Sequence, residues 1–139
     1  MADGFALALQ KGLRATLVSD SALAGIVSTR IYDEPPQDAA FPYLRFGEIS
    51  PNAFDTDTIE GALVDITFEA HSRSSSGRVE AVQMAEAVKS ALHRQESAVS
   101  VVGFNLVELI FETFSVARNS EGRGYTAVIV LQAMLEDTA

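Results

Sequence analysis

Two histidines, one acidic triplet, a run of serines and a glycine-arginine-glycine step are the places where this chain could do chemistry. As a metal ligand or proton carrier, His71 or His93 would need a second imidazole or a carboxylate at ligand spacing, and neither has one. His71 closes an alternating segment on its polar side and reads as a surface histidine. His93 sits in the last turn of a helical segment and reads as a helix-end residue. Asp55-Thr56-Asp57 offers oxygens to a divalent cation. Such an ion wants about six oxygens in a shaped loop, and here no glycine makes the turn and no glutamate closes it in register, so a solvated loop is the better reading. Ser72, Ser74, Ser75 and Ser76 lack the G-x-S-x-G setting of a serine nucleophile and suit caps and turns. Gly122-Arg123-Gly124 has no lysine and no strand–turn–helix setting for a phosphate; it reads as a hairpin tip. Arg73, Arg78 and Arg94 are expected to pair with neighbouring acids. These residues assemble no catalytic constellation, metal site or cofactor site, and the expectation is a protein that is not an enzyme.

The 139 residues form one expected domain, 1–139, large enough to bury a core. Apolar residues make up 47% and charged residues 21%, the balance of a globular domain. No apolar run is long enough to cross a bilayer, and Met1-Ala2-Asp3-Gly4 lacks the basic start of a signal peptide. The absence of cysteine excludes disulfides and thiolate chemistry, and fits a reducing compartment. The formal net charge of −9 disfavours nucleic-acid binding, which depends on Lys and Arg neutralising phosphates.

The elements follow from periodicity. Phe5, Leu9, Leu13 and Leu17 recur every four residues and predict a helix from about Asp3, as N-cap, to Val18. Ser19-Asp20-Ser21 ends it and caps a short helix, Ala22 to Ile26. Ile31–Tyr32 and Tyr43–Ser50 read as strands, the second stopped by Pro51. Residues 51–61 (PNAFDTDTIEG) are polar, acidic and aperiodic, and read as an exposed loop in which Phe54 is out of place. Ala62 to His71 alternates cleanly, with Ala62, Val64, Ile66, Phe68 and Ala70 facing the core, as in a half-buried antiparallel strand. Residues 77–94 predict a second long helix with Ala81, Met84, Ala85, Val88, Ala91 and Leu92 buried. Phe104–Val116 and Tyr125–Leu135 are apolar on both faces; they read as central strands, or as strands whose second face meets another chain. Residues 120–124 form the turn between them. The expected fold is α+β, a mainly antiparallel sheet of about four to five strands with two long helices packed on it.

Between the first two strands, Pro35, Pro36 and Pro42 each fix φ and remove a backbone donor, and the residue before each is driven towards extended geometry. Residues 30–48 (RIYDEPPQDAAFPYLRFGE) therefore read as a stiff, acidic connector.

Over nearly its full length the chain resembles the tail terminator, or tail completion, proteins of long-tailed bacteriophages and phage-like gene transfer agents. The likeness rests on the order and spacing of several features. These are the N-terminal amphipathic helix followed by Asp20-Ser21-Ala22-Leu23, the Arg30-Ile31-Tyr32 strand, the proline loop, and Ala40-Phe41-Pro42-Tyr43 with Gly47 shortly after. A strand ending in His71-Ser72-Arg73, a helix running to Ala91-Leu92-His93 and a final hairpin complete it.

The resemblance implies a structural virion protein without catalytic residues or cofactor. Its subunits would form a homo-hexameric ring that caps the tail tube protein, ends its polymerisation and joins the tail to the head-side stopper or connector. It would sit in the neck region of the virion tail, be assembled in the bacterial host cytoplasm, and bind no membrane. DNA would pass the lumen without specific binding. Within that reading Phe54, Asp55, Asp57 and Glu60 are the candidate partner or lumen loop, with Phe54 either anchoring a partner or tucking back onto its own sheet. Asp33, Glu34, Gln37 and Asp38 are the candidate subunit-contact loop. The alternative is a small non-enzymatic binding domain that dimerises through its sheet.

Overall fold

The computed structural model describes residues 4–55, 60–73, 77–118 and 124–138. Its elements run α1 (Phe5–Ser19), α2 (Ser21–Val27), β1 (Ile31–Tyr32), β2 (Tyr43–Asp55), β3 (Glu60–Ser72), α3 (Val79–Leu92), a 3₁₀ turn (Glu96–Ala98), β4 (Phe104–Arg118) and β5 (Tyr125–Asp137). One five-stranded sheet has the order β1-β2-β3-β5-β4. Only the two-residue β1 pairs in parallel, and the other neighbours are antiparallel. The expected α+β architecture, with two long helices and a short one on a mainly antiparallel sheet, is what forms.

The stripe on α1 buries Leu9, Leu13 and Leu17 together with Ala8 and Gly12. At Gly12 the helix meets the Ser100 carbonyl so closely that a Cβ would collide with it, so glycine is what lets the 98–102 segment lie against α1. The N-cap of α1 is Gly4, which makes no side-chain cap bond; the expected cap, Asp3, lies outside the described residues. Asp20 caps α2, its carboxylate accepting from the Leu23 N–H at 3.0 Å. The buried face of α3 is the expected one, save that Ala87 is also buried and Ala91 only partly so. The alternation of β3 holds throughout: Ala62, Val64, Ile66, Phe68 and Ala70 are all 1% exposed or less and form the core with the helices.

Two strand expectations are corrected. β2 does not stop at Pro51 but runs to Asp55, paired with β3 to its end. The Leu44 N–H, which donates to the Arg30 carbonyl at 3.0 Å, points away from β3. Carried across the bulge between Phe46 and Ile49, the antiparallel alternation puts the nitrogen of Pro51 on that same outer edge. Beyond the two residues covered by β1 this edge needs no donor, so the proline is tolerated. β4 is likewise not central. It is the edge strand outside β5, and shifts at Leu106/Glu108 and Phe111/Thr113 break its alternation. That is why Val107 is 46% exposed while Leu109 is fully buried. The expected 120–124 turn lies outside the described residues except for Gly124.

Candidate interaction surfaces

The helices leave one face of the sheet uncovered. Across β3, β5 and β4 it carries Leu63 beside Met134, Asp65 beside Gln132 and Ile110, Thr67 beside Val130 and Thr113, and Glu69 beside Val128 and Ser115. Gln132 donates to Asp65 at 3.2 Å. This is a mixed surface of half-buried aliphatic and polar side chains, with Val128 38% exposed.

The two candidate loops lie at opposite ends of this sheet. The proline loop enters β2 at Tyr43, and the 51–61 segment is the other end of the same strand, roughly 40 Å away at about 3.3 Å per residue. The proline loop is tied down from several sides. Arg30 Nε donates to the Pro42 carbonyl at 2.8 Å, Arg14 Nε to the Ile31 carbonyl at 3.2 Å, and Gln10 to Asp33 at 3.1 Å. Asp33 is thus engaged within its own chain, whereas Glu34, Gln37 and Asp38 are exposed. Gln37 and Asp38 line an open cavity of about 470 Å³ together with Phe41, Tyr43 and Arg73. The Arg73 guanidinium lies 4.2 Å from the Phe41 ring centre.

The 51–61 segment is mostly not a loop. Phe54 and Asp55 belong to β2, and Glu60 is the exposed first residue of β3. Phe54 tucks back onto its own sheet, with its ring over Gly61. Asp57 and the side chain of Asp55 lie outside the described residues.

Neither histidine is a plain surface residue. His71 stacks on Tyr43 at 5.0 Å between ring centres, and its nitrogens sit 3.0 Å from Glu69 Oε1 and 3.3 Å from Thr126 Oγ1. His93 serves the backbone. The Phe111 N–H donates to its Nδ1 at 3.0 Å, which places the proton of the neutral ring on Nε2. Three residues on, Glu96 Oε2 accepts from the Leu109 N–H at 2.9 Å, and the Arg94 N–H donates to the Leu109 carbonyl at 2.9 Å. The 93–96 segment thus clips over the outer edge of β4 and fills polar groups that would otherwise invite another strand. The Leu109 N–H holds the Glu96 carboxyl below the usual carboxylate range, against the opposing effect of burial; the charge of Arg94 acts in the same lowering direction. Sequence spacing carries no signal for this clip, because its partners lie 13 and 18 residues away.

The arginines only partly follow expectation. Arg94 meets Glu108 at 3.4 Å, both ends well exposed, a pair of small energetic weight. Arg78 stacks on Tyr125 instead, and Arg118 lies over the same ring. Ser72, expected as a cap or turn former, is fully buried and donates to Glu80 at 2.7 Å; Ser74, Ser75 and Ser76 lie outside the described residues. Among the described residues no three His, Asp or Glu side chains converge to hold a metal ion. What these surfaces offer is contact chemistry: aromatic rings, stacked guanidiniums and exposed acids.

Comparison with known proteins gives this geometry a context. The sequence profile of the family described as tail completion protein gp17 matches residues 11–136. Among curated proteins no sequence relative matches. In fold the chain is similar to a chain in the virion of a native gene transfer agent particle, with a TM-score of 0.87 and 26% identity over 97% of this chain and 99% of that one. It also shares the fold of the gp17 protein of bacteriophage SPP1, with a TM-score of 0.58 and 21% identity over 92% and 88% of the two chains.

Proposed function

This chain belongs to the gp17 family of tail completion proteins, and from that premise we propose that it forms a six-membered ring on the end of the tail tube. The ring stops tube polymerisation, joins the tail to the head-side connector and lets DNA through its lumen. As a structural component of a phage or gene transfer agent tail, the protein acts by shape and contact rather than by catalysis. The observation that carries this reading is the near end-to-end likeness to a chain of the gene transfer agent virion.

The structure supports it in physical terms. The helix-free sheet face mixes polar residues (Asp65, Thr67, Glu69, Gln132) with aliphatic ones that are half buried or, at Val128, exposed. Such a face suits either a neighbouring subunit or a lumen. The excess of acids repels phosphate and so lets DNA slide past. The sheet is asymmetric from end to end, as a heterologous ring contact requires.

The test is particle production without the chain. Tails are expected to overrun their normal length and to fail to join heads; normal tails on filled heads would overturn the reading. Charge reversal at Asp55, Asp57 and Glu60, with tail length and DNA delivery as readouts, asks whether these acids face the tube, the lumen or a neighbouring subunit.

A further inference from the structure

The two ends of the sheet offer different contact chemistry. At one end two guanidiniums lie over the Tyr125 ring, Arg78 at 5.1 Å and Arg118 at 5.5 Å from its centre. Arg118 also reaches the Tyr125 hydroxyl at 3.4 Å. Both arginines are exposed, and neither meets a carboxylate among the described residues. The nearby acids are engaged elsewhere: Glu80 accepts from the Ser72 hydroxyl and Glu69 faces His71. Val79, next to Arg78 in sequence, is 53% exposed. Two cations stacked on one aromatic ring beside an exposed aliphatic, in a chain of net charge −9, make a surface rich in the residue types that dominate protein interfaces.

At the other end the register brings Gly61, Glu136 and Asn105 side by side, with Glu60 just beyond. Glu60 is exposed, Glu136 is half-buried, and no base among the described residues pairs with either.

We propose that the Arg78–Tyr125–Arg118 clamp of one copy receives the Glu60 and Glu136 end of a second copy, making a head-to-tail contact. Planar guanidiniums grip carboxylates through paired hydrogen bonds, and the stacking on Tyr125 holds them ready. Because the surfaces that meet are different, the contact is heterologous and can close into a ring. It rests on the ring reading for its setting and supplies that reading with a subunit contact. The complementarity is local to the guanidiniums and the two carboxylates, since the clamp end also carries the exposed acids Glu34 and Asp38, and it favours that one orientation of the copies.

The chain has no cysteine, so introduced thiols report cleanly. Ala117 and Asn105 are exposed β4 residues near the clamp end and the acidic end. They lie roughly 40 Å apart within one copy, too far for a short bismaleimide to bridge. The experiment treats purified particles, and the concentrated purified chain, with such a reagent. The double variant Ala117→Cys/Asn105→Cys is expected to give a ladder of multimers, and each single variant only monomers. Adding Arg78→Glu/Arg118→Glu should cut the ladder at least tenfold, and adding Glu60→Arg/Glu136→Arg to that chain should restore it. Dimers from Ala117→Cys alone, or a double variant that stays monomeric in both samples, would overturn the proposal. Rings seen by electron microscopy without the cross-link sink this contact and leave the ring standing. Cross-linked open chains without rings keep the contact and sink the ring. If the Glu variants lose their circular dichroism signal, Arg78→Gln/Arg118→Gln takes their place, with the same loss of ladder expected and an unchanged ladder overturning the contact.

Discussion

The ring of Phe54 lies over Gly61, its direct cross-strand partner, so closely that a Cβ on Gly61 would sit 2.6 Å from the ring's Cζ. An aromatic covering a strand glycine restores packing that the missing side chain gives up. Phe54→Ala should therefore cost about 1 kcal/mol, and Gly61→Ala should destabilise by pushing the ring off. The two losses should be markedly less than additive, since both variants break one contact. Denaturant unfolding of the two singles and the double reads this directly, and simple additivity would show that the ring does not depend on the glycine.

Phe68 is the centre of the core. It is 0% exposed, and its ring centre is 4.8 Å from that of Phe46 on β2. Truncating such a residue costs roughly 3–5 kcal/mol, and a carboxylate in its place adds the penalty of an unpaired buried charge. Phe68→Asp should leave the chain unfolded at 25 °C by circular dichroism. A cooperative melt like that of the parent would contradict the burial of this strand face.

How much of this was legible in the residues depends on how local each cause is. The faces of β3 follow from strict alternation between Ala62 and Ala70, and α1 from its four-residue stripe. Pro51 misleads because a proline is forbidden only where its nitrogen must donate, and the outer side of β2 is fixed by pairing with β3. Phe104–Val116 looks central because its apolar residues fill both phases. Two register shifts, at Leu106/Glu108 and Phe111/Thr113, explain that pattern on an edge strand. The candidate loops are legible as acidic segments at the two ends of one strand, yet only three-dimensional register shows that residues 51–55 are themselves strand, paired with β3. The clip at His93 and Glu96 is tertiary, and the residues alone reveal neither half of it.

That clip makes a site-specific prediction. His93→Ala removes the acceptor of the Phe111 N–H and should cost about 1 kcal/mol. The more telling readout is amide hydrogen exchange. Protection of Phe111 should fall in the variant while protection of Leu109, held by Glu96, stays closer to that of the parent. Equal loss at both amides would mean that the 93–96 segment opens as one unit. Unchanged protection at Phe111 would show that the imidazole is not its partner.

Glu96 sets an acid limit on the same clip. Its carboxyl is held below the ordinary value by the Leu109 N–H, with burial opposing, so the folded state favours the charged form. For a carboxyl lowered on folding, the stabilisation is fully present above the unfolded-state value. It is lost as pH falls through the folded-state value. Stability should therefore decline on acidification below about pH 4.5, the unshifted value for this group, partly through Glu96. Glu96→Gln keeps an oxygen to accept from Leu109 but removes the titration. The variant should be less stable than the parent at neutral pH and should show a shallower decline in acid, the two curves converging as Glu96 protonates. The measurement is urea unfolding between pH 3 and pH 7 for both proteins, and parallel curves over that range would show that the Glu96 charge does not contribute to holding the edge of β4.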